Sequence, residues 1–157
     1  MICYDVAMNK KDLEKFLLQA RTKTYAAAIG KSKALLPGSV QYEFEDGDFS
    51  YRDVYYIGNG IFPGLETVFY KEKPVWSMSY FGDFSKMTEE QADSMLRKAL
   101  IDLWETTRIY KHVEKDYGDF TYVCEGSGSI DELDGSEEIH VGKEKMYFFY
   151  YAGGLIG

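Results

Sequence analysis

The sequence predicts an α+β fold in which a helix followed by an antiparallel meander occurs twice, and three observations carry that reading. First, Gly64–Gly82 consists of two alternating, aromatic-rich runs around a short charged connection, the pattern of paired strands with a turn, and Gly135–Gly153 echoes it. Second, residues 45–82 align with 116–153 at a constant offset of 71 without a gap, with 8 identities in 38 positions: Gly47, Asp48, Phe49, Tyr51, Gly64, Glu66, Tyr80 and Gly82 with their partners. Chance pairing would give about three, so an internal repeat is expected. Third, each meander is preceded by a segment of helical period. At 157 residues the chain is expected to form one domain, 1–157, with an antiparallel sheet of six to eight strands and two helices packed on it.

Asn9 reads as the N-cap of the first helix, with Asp12 and Glu14 in the opening turn, where the helix dipole favours negative charge. Leu13, Phe16, Leu17 and Ala20 share one face of a helix expected over about residues 10–22; the alternative is a continuation through Ala26-Ala27-Ala28 that Gly30 would stop. A loop with Pro37-Gly38 follows. Strands are predicted at 41–45, 49–57, 65–70 and 75–80, separated by Asp46-Gly47 and Gly58-Asn59-Gly60. A two-residue turn at Glu72-Lys73 makes paired residue numbers add to 145, so Phe69 faces Trp76 and Glu66 faces Ser79. Leu65, Thr67, Phe69, Trp76, Met78 and Tyr80 then share one face, and Glu66 and Val68 the other.

Thr88-Glu89-Glu90-Gln91 is a capping box that starts the second helix at Glu89. Its buried stripe is Ala92, Leu96, Ala99, Leu100, Leu103 and Thr107, and its end is expected near Arg108–Tyr110. Strands near 119–125, 136–141 and 146–151 complete the second meander, with Gly126-Ser127-Gly128-Ser129 as a flexible loop. Neither this loop nor Gly30-Lys31-Ser32 has the spacing and flanking elements of a dinucleotide or phosphate loop.

Aromatic residues make up 17% of the chain, 14 of them Tyr, which favours sheet surfaces and leaves many hydroxyls in need of partners. The net charge of −8 argues against a nucleic-acid surface on this chain. Cys3 and Cys124 have neither metal nor redox spacing and read as reduced thiols. Met1–Met8 is interrupted by Asp5 and closed by Lys10-Lys11, too early for an export signal, and no run approaches the ~20 apolar residues of a membrane span. A cytoplasmic location, no membrane, no metal and no cofactor are expected.

Phe62-Pro-Gly-Leu-Glu-Thr-Val68, Lys73-Pro-Val-Trp-Ser-Met-Ser-Tyr-Phe-Gly82, Asp119-Phe-Thr-Tyr122 and Tyr151-Ala-Gly-Gly-Leu155, in that order, resemble an uncharacterised bacterial and archaeal family of unknown function. Its members occur alone or behind XRE-type helix-turn-helix regulators. The resemblance covers nearly the whole chain, supplies no reaction, and implies a sensing or partner-binding module.

Glu66 and Glu137 are matched by the repeat and share strand faces with apolar residues. They read either as an acid/base pair or as strand carboxylates held by tyrosines and backbone. His140, beside Glu138 and opposite Tyr147, shares a face with Phe149 and Tyr151 and reads either as part of a stacking site or as a histidine satisfied at a sheet edge. The predicted ligand-binding cluster is Trp76, Tyr80, His140, Tyr147 and Tyr151. A non-enzymatic binding domain, taking a small molecule or a protein partner, is the principal reading. The alternatives are a small hydrolase or isomerase using Glu66 or Glu137 with His140 or a tyrosine, and an acidic immunity-type protein. Aromatic residues on both sheet faces exceed what two helices cover, so a groove or a homodimer contact is expected.

Overall fold

A computed structural model describes residues 8–156. Cys3 and most of the Met1–Met8 stretch therefore lie outside the described residues. Nine strands form one antiparallel sheet: β1 Lys31–Ser32, β2 Val40–Asp46, β3 Phe49–Tyr55, β4 Ile61–Tyr70, β5 Lys73–Asp83, β6 His112–Asp116, β7 Thr121–Ser129, β8 Glu132–Val141 and β9 Glu144–Leu155. Their order is β1-β2-β3-β4-β5-β9-β8-β7-β6, two meanders joined edge to edge through β5 and β9. The α+β class is as expected, but the strand count exceeds six to eight. The additions are β6, a five-residue edge strand paired with β7, and β1, only two residues long.

β4 and β8 begin at Ile61 and Glu132 and end at Tyr70 and Val141, an offset of 71 residues at both ends. Pairing follows the same offset: Tyr51 faces Val68 as Tyr122 faces Ile139, and Val68 faces Trp76 as Ile139 faces Tyr147. Even the irregularity coincides, falling at Val68/Phe69 and at Ile139/His140.

The first hairpin turns one residue earlier than the sequence suggests. Lys71 and Glu72 both take positive φ, 49° and 66°, as a turn matched to strand twist requires, and Tyr70 pairs with Lys73. Val75 is then left over as a bulge beside Pro74, which has no N–H to give the ladder. Beyond the bulge Val68 faces Trp76 and Glu66 faces Met78 rather than Ser79. A slip of one residue exchanges the faces of a strand. Glu66 and Val68 therefore join Trp76, Met78 and Tyr80 on the inner face, and Leu65 and Thr67 point outward.

α1 spans Lys10–Thr22 and α2 spans Glu89–Asp102. The Asn9 side chain accepts from Lys11 N, and both arms of the Thr88–Gln91 box are present. The alternative continuation of α1 through Ala26–Ala28 does not form. Thr22 and Thr24 hydroxyls donate to the carbonyls of Gln19 and Ala20 at 2.7 and 2.8 Å, competing for the helix's last acceptors, and Ala28 has φ 56°. α2 likewise stops short of Arg108, where Thr106 donates to the Leu103 carbonyl at 2.9 Å. The Gly126–Ser129 segment is not a loop but the end of β7, paired with β8. A Cβ on Gly126 would lie 1.7 Å from the Ile109 carbonyl oxygen, so that glycine permits a close backbone approach.

Leu13, Phe16, Leu17 and Ala20 of α1 and Ala92, Leu96, Ala99 and Leu100 of α2 join the inner-face residues of both meanders in one core. The opposite face keeps Leu65, Phe81 and Tyr150 exposed. No helix among the described residues is long and apolar enough to cross a membrane.

Candidate functional site

Two carboxylates sit inside this core, Glu66 at 2% exposure and Glu137 at 0%. A buried carboxylate is costly unless it is paired and hydrogen-bonded. Arg21, in the last turn of α1, grips Glu66 with Nε 3.1 Å from both oxygens and Nη2 2.6 Å from Oε2, while Tyr51 donates to Oε1 at 3.0 Å. Arg108, after α2, donates from Nε and Nη2 to Glu137 at 3.1 and 2.9 Å, and Tyr122 and Tyr147 donate to the same carboxylate, Tyr147 at 2.7 Å. Burial works against the charge of each arginine. The glutamate and tyrosines beside it together outweigh burial, so both guanidiniums are held more firmly protonated than in water. Arg21 Nη1 also donates to the Arg108 carbonyl at 2.9 Å, which ties the two assemblies together.

Against this network opens a cavity of about 210 Å³. Its walls come from β2–β5, β9, α2 and the turn after α1, and include Tyr25, Tyr42, Tyr55, Phe62, Tyr80, Phe84, Tyr147 and Phe149. Asp53, only 6% exposed, lies in its lining. Tyr80 donates to its Oδ1 at 2.6 Å, and among the described residues no arginine, lysine or histidine pairs with it. Burial, reinforced by the charge of Glu66 directly across the strand pair, pushes the Asp53 carboxyl up to about 7, against the opposing effects of Tyr80, Arg108 and Arg21. Of the other charges of the wall, Asp93, Arg97 and Arg108 are paired, and Lys31 and Glu89 are exposed to solvent. Tyr25 donates to Asp93 at 2.6 Å, Arg97 lies 3.4 Å from Asp93 and stacks over Tyr25 at 4.8 Å, and Arg108, bound to Glu137, stacks over Phe149 at 4.3 Å.

Gly64 explains how Tyr80 reaches Asp53. The ring lies across the glycine, where a Cβ would be 2.3 Å from both the Tyr80 Cζ and hydroxyl oxygen. Gly135 gives Tyr151 the same clearance, 2.3 Å to its hydroxyl oxygen.

Of the residues selected from sequence, Tyr80 and Tyr147 line the cavity together. Trp76 and Tyr151 are buried in the core, where Trp76 Nε1 donates to the Ile130 carbonyl at 3.1 Å and the Tyr151 hydroxyl to that of Ile109 at 2.8 Å. His140 is not with them. The bulge at Ile139/His140 pairs it with Lys145 instead of Tyr147 and turns it to the outer face, where it lies 2.7 Å from Glu138. Glu66 and Glu137 do not converge on the cavity as a free acid/base pair, since each is occupied by arginine and tyrosine. His112 lies on the edge strand β6, 3.5 Å from Glu125.

Sequence reasoning passed over Asp53, Arg21 and Arg108. Asp53 carried a signal: Phe49, Tyr51 and Tyr55 alternate around it at period two, placing an acid on an aromatic inward face. Arg21 stands four residues beyond Leu17 on the buried stripe. Arg108 sits in a turn with φ 56° and gave none. Among the described residues no group of three or more His, Cys, Asp or Glu is placed to hold a metal ion, and Cys124 is a buried free thiol.

Residues 53–156, about two thirds of the chain, match the model of a family described as Domain of unknown function (DUF5680). No curated protein and no solved structure matches the chain.

Proposed function

The chain belongs to the DUF5680 family, and because that description assigns no activity, we propose from the site's own geometry that the protein is a small-molecule-binding domain whose ligand occupies the aromatic cavity at Asp53. One observation carries this reading: among the described residues, a carboxyl with no basic partner stands in the wall of an open aromatic cavity, while the other two buried carboxylates, Glu66 and Glu137, are each held by arginine and tyrosine. Binding pockets combine apolar walls with a few polar groups that fix orientation, and this cavity has that composition. The common offset of 71 residues in β4 and β8 supports a duplicated pair of halves, both of which line the pocket while the first supplies Asp53. The resemblance to domains borne behind XRE-type regulators, in bacteria and archaea, supports a cytoplasmic sensing role rather than catalysis. So does the engagement of both buried glutamates by arginine.

Mass spectrometry of the natively purified protein, followed by a thermal-shift screen, tests the proposal against a Val40→Trp variant whose indole fills the cavity mouth. A ligand of the folded state raises the melting temperature at saturation. Retained mass or a thermal shift in the wild type that is lost in folded Val40→Trp supports the pocket. Equal responses in the two proteins, including none in either, overturn it.

A further inference from the structure

Resting on the pocket reading above, we infer that the ligand is a small organic cation, an aromatic or alkyl ammonium whose N–H group meets Asp53 while its body stacks on the surrounding rings.

The inference follows from which charges remain once internal pairs are removed. Arg108 is occupied by Glu137, and the charge of Arg97 is met by Asp93, with Arg97 Nε enclosed in protein and without a partner among the described residues. Lys31 and Glu89, one cation and one anion, are both exposed and line the cavity from its solvent side. What is left within the cavity is Asp53, nine-tenths buried, with its Oδ1 taken by Tyr80 and no hydrogen bond to Oδ2 among the described residues. An anionic ligand would meet this carboxyl without relief. A cation supplies the missing partner, and the electron-rich ring faces supply the rest. Tyr42 stacks with Tyr55 at 6.4 Å between centroids, and Phe62 and Phe149 lie 6.3 and 5.1 Å from Tyr80. Such rings attract ammonium groups, more strongly where water is excluded.

The surroundings of Asp53 also set its protonation. The groups that face Asp53 are Tyr42 on β2, Glu66 on β4, Tyr80 on β5, Arg21 of α1 and Arg108 after α2. Burial and Glu66 dominate, so the carboxyl titrates at about 7. A cation binds the ionised form and displaces the proton. Its affinity therefore rises about tenfold from one pH unit below that value to one above.

Benzylammonium, benzyl alcohol and benzoate present one ring with three charges. Calorimetry and thermal shift should show benzylammonium binding the wild type, more tightly at higher pH, with at least tenfold loss in Asp53→Asn and in Val40→Trp. Equal or better binding of the alcohol or benzoate, or an unchanged response of Asp53→Asn, overturns the cation class and leaves the pocket standing. If none of the three probes distinguishes wild type from Val40→Trp, the cation inference fails. Should the native protein also retain no ligand mass, the pocket reading falls with it.

Discussion

Replacing Asp53 by Asn tests the electrostatics of the cavity without reference to any ligand. The amide keeps an acceptor for the Tyr80 hydroxyl and turns its NH₂ toward cavity water, while removing the ionisation. In wild type the carboxyl rises from an ordinary 3.8 to about 7. Below the lower value it is protonated both folded and unfolded and contributes no pH dependence. Between the two values the unfolded chain releases its proton while the folded chain retains it, so stability falls as pH rises. Above the higher value the loss is complete. At 1.36 kcal/mol per pH unit, the gap corresponds to about 4 kcal/mol, or a melting-temperature difference on the order of 10 °C for a chain of this size. Thermal and urea melts of both proteins at steps from about pH 4 to about pH 8 read this directly. The stability of Asp53→Asn relative to wild type should climb across that range by up to about 4 kcal/mol and then level off. A difference that stays flat to within about 1 kcal/mol would show that Asp53 titrates as an exposed carboxyl does, and the picture of an unpaired acid held neutral by Glu66 and burial would be wrong.

Arg21→Met leaves Glu66 charged and buried, and should cost about 3–5 kcal/mol in urea unfolding, whereas the double variant Arg21→Met with Glu66→Leu should recover most of that loss; a double variant no more stable than the single one would mean that the pair is not the source of the cost. Gly64→Ala forces the Tyr80 ring off the glycine and should destabilise by about 1–3 kcal/mol while withdrawing the hydroxyl from Asp53, seen by NMR as a move of the Asp53 titration midpoint toward alkaline pH, because Tyr80 is one of the groups that favours its ionised form. An unshifted titration in Gly64→Ala would show that the ring accommodates the methyl without leaving the acid.

What the sequence made legible follows from how local each feature is. Asn9 and the Thr88–Gln91 box announced two helix starts because capping involves residues within one turn. The meanders were visible because alternation and turn glycines are also local. The end of α1 at Thr22 is where the periodicity placed it, but the continuation through the alanines and the end of α2 near Arg108 were misjudged, because Thr22, Thr24 and Thr106 take carbonyls that alanine-based propensity ignores. The face of Glu66 was missed through one residue of turn register, since Lys71-Glu72 rather than Glu72-Lys73 makes the turn and Val75 bulges. The partners of the glutamates were illegible for a different reason. Arg21 is 45 residues from Glu66 and Arg108 is 29 from Glu137, and no spacing rule links positions so far apart.

The location of the cavity is best understood by comparing positions 71 residues apart. Asp53 faces Glu66 across β3 and β4 as Cys124 faces Glu137 across β7 and β8. Tyr80 reaches the first of these side chains and Tyr151 the second, each tyrosine lying over its own glycine, Gly64 or Gly135. In the second half the space beyond the tyrosine is filled by chain: Arg108 N donates to Cys124 Sγ at 3.3 Å, and the Ile109 carbonyl receives the Tyr151 hydroxyl at 2.8 Å and lies against Gly126. A weakly polar thiol suits that enclosed position. The segment after α1 does not fill the matching space in the first half, where Arg21 reaches Glu66 from within the helix itself and the carboxyl at Asp53 is left facing open volume. A buried acid with no basic partner among the described residues is a cost that folding alone gives no reason to keep, and here it coincides with a position that is open in the first half and plugged at its counterpart 71 residues on. The proposed ligand reading accounts for that coincidence where imperfect packing does not, because a packing defect would be relieved by an apolar residue at position 53, whereas a cation-binding site requires the acid.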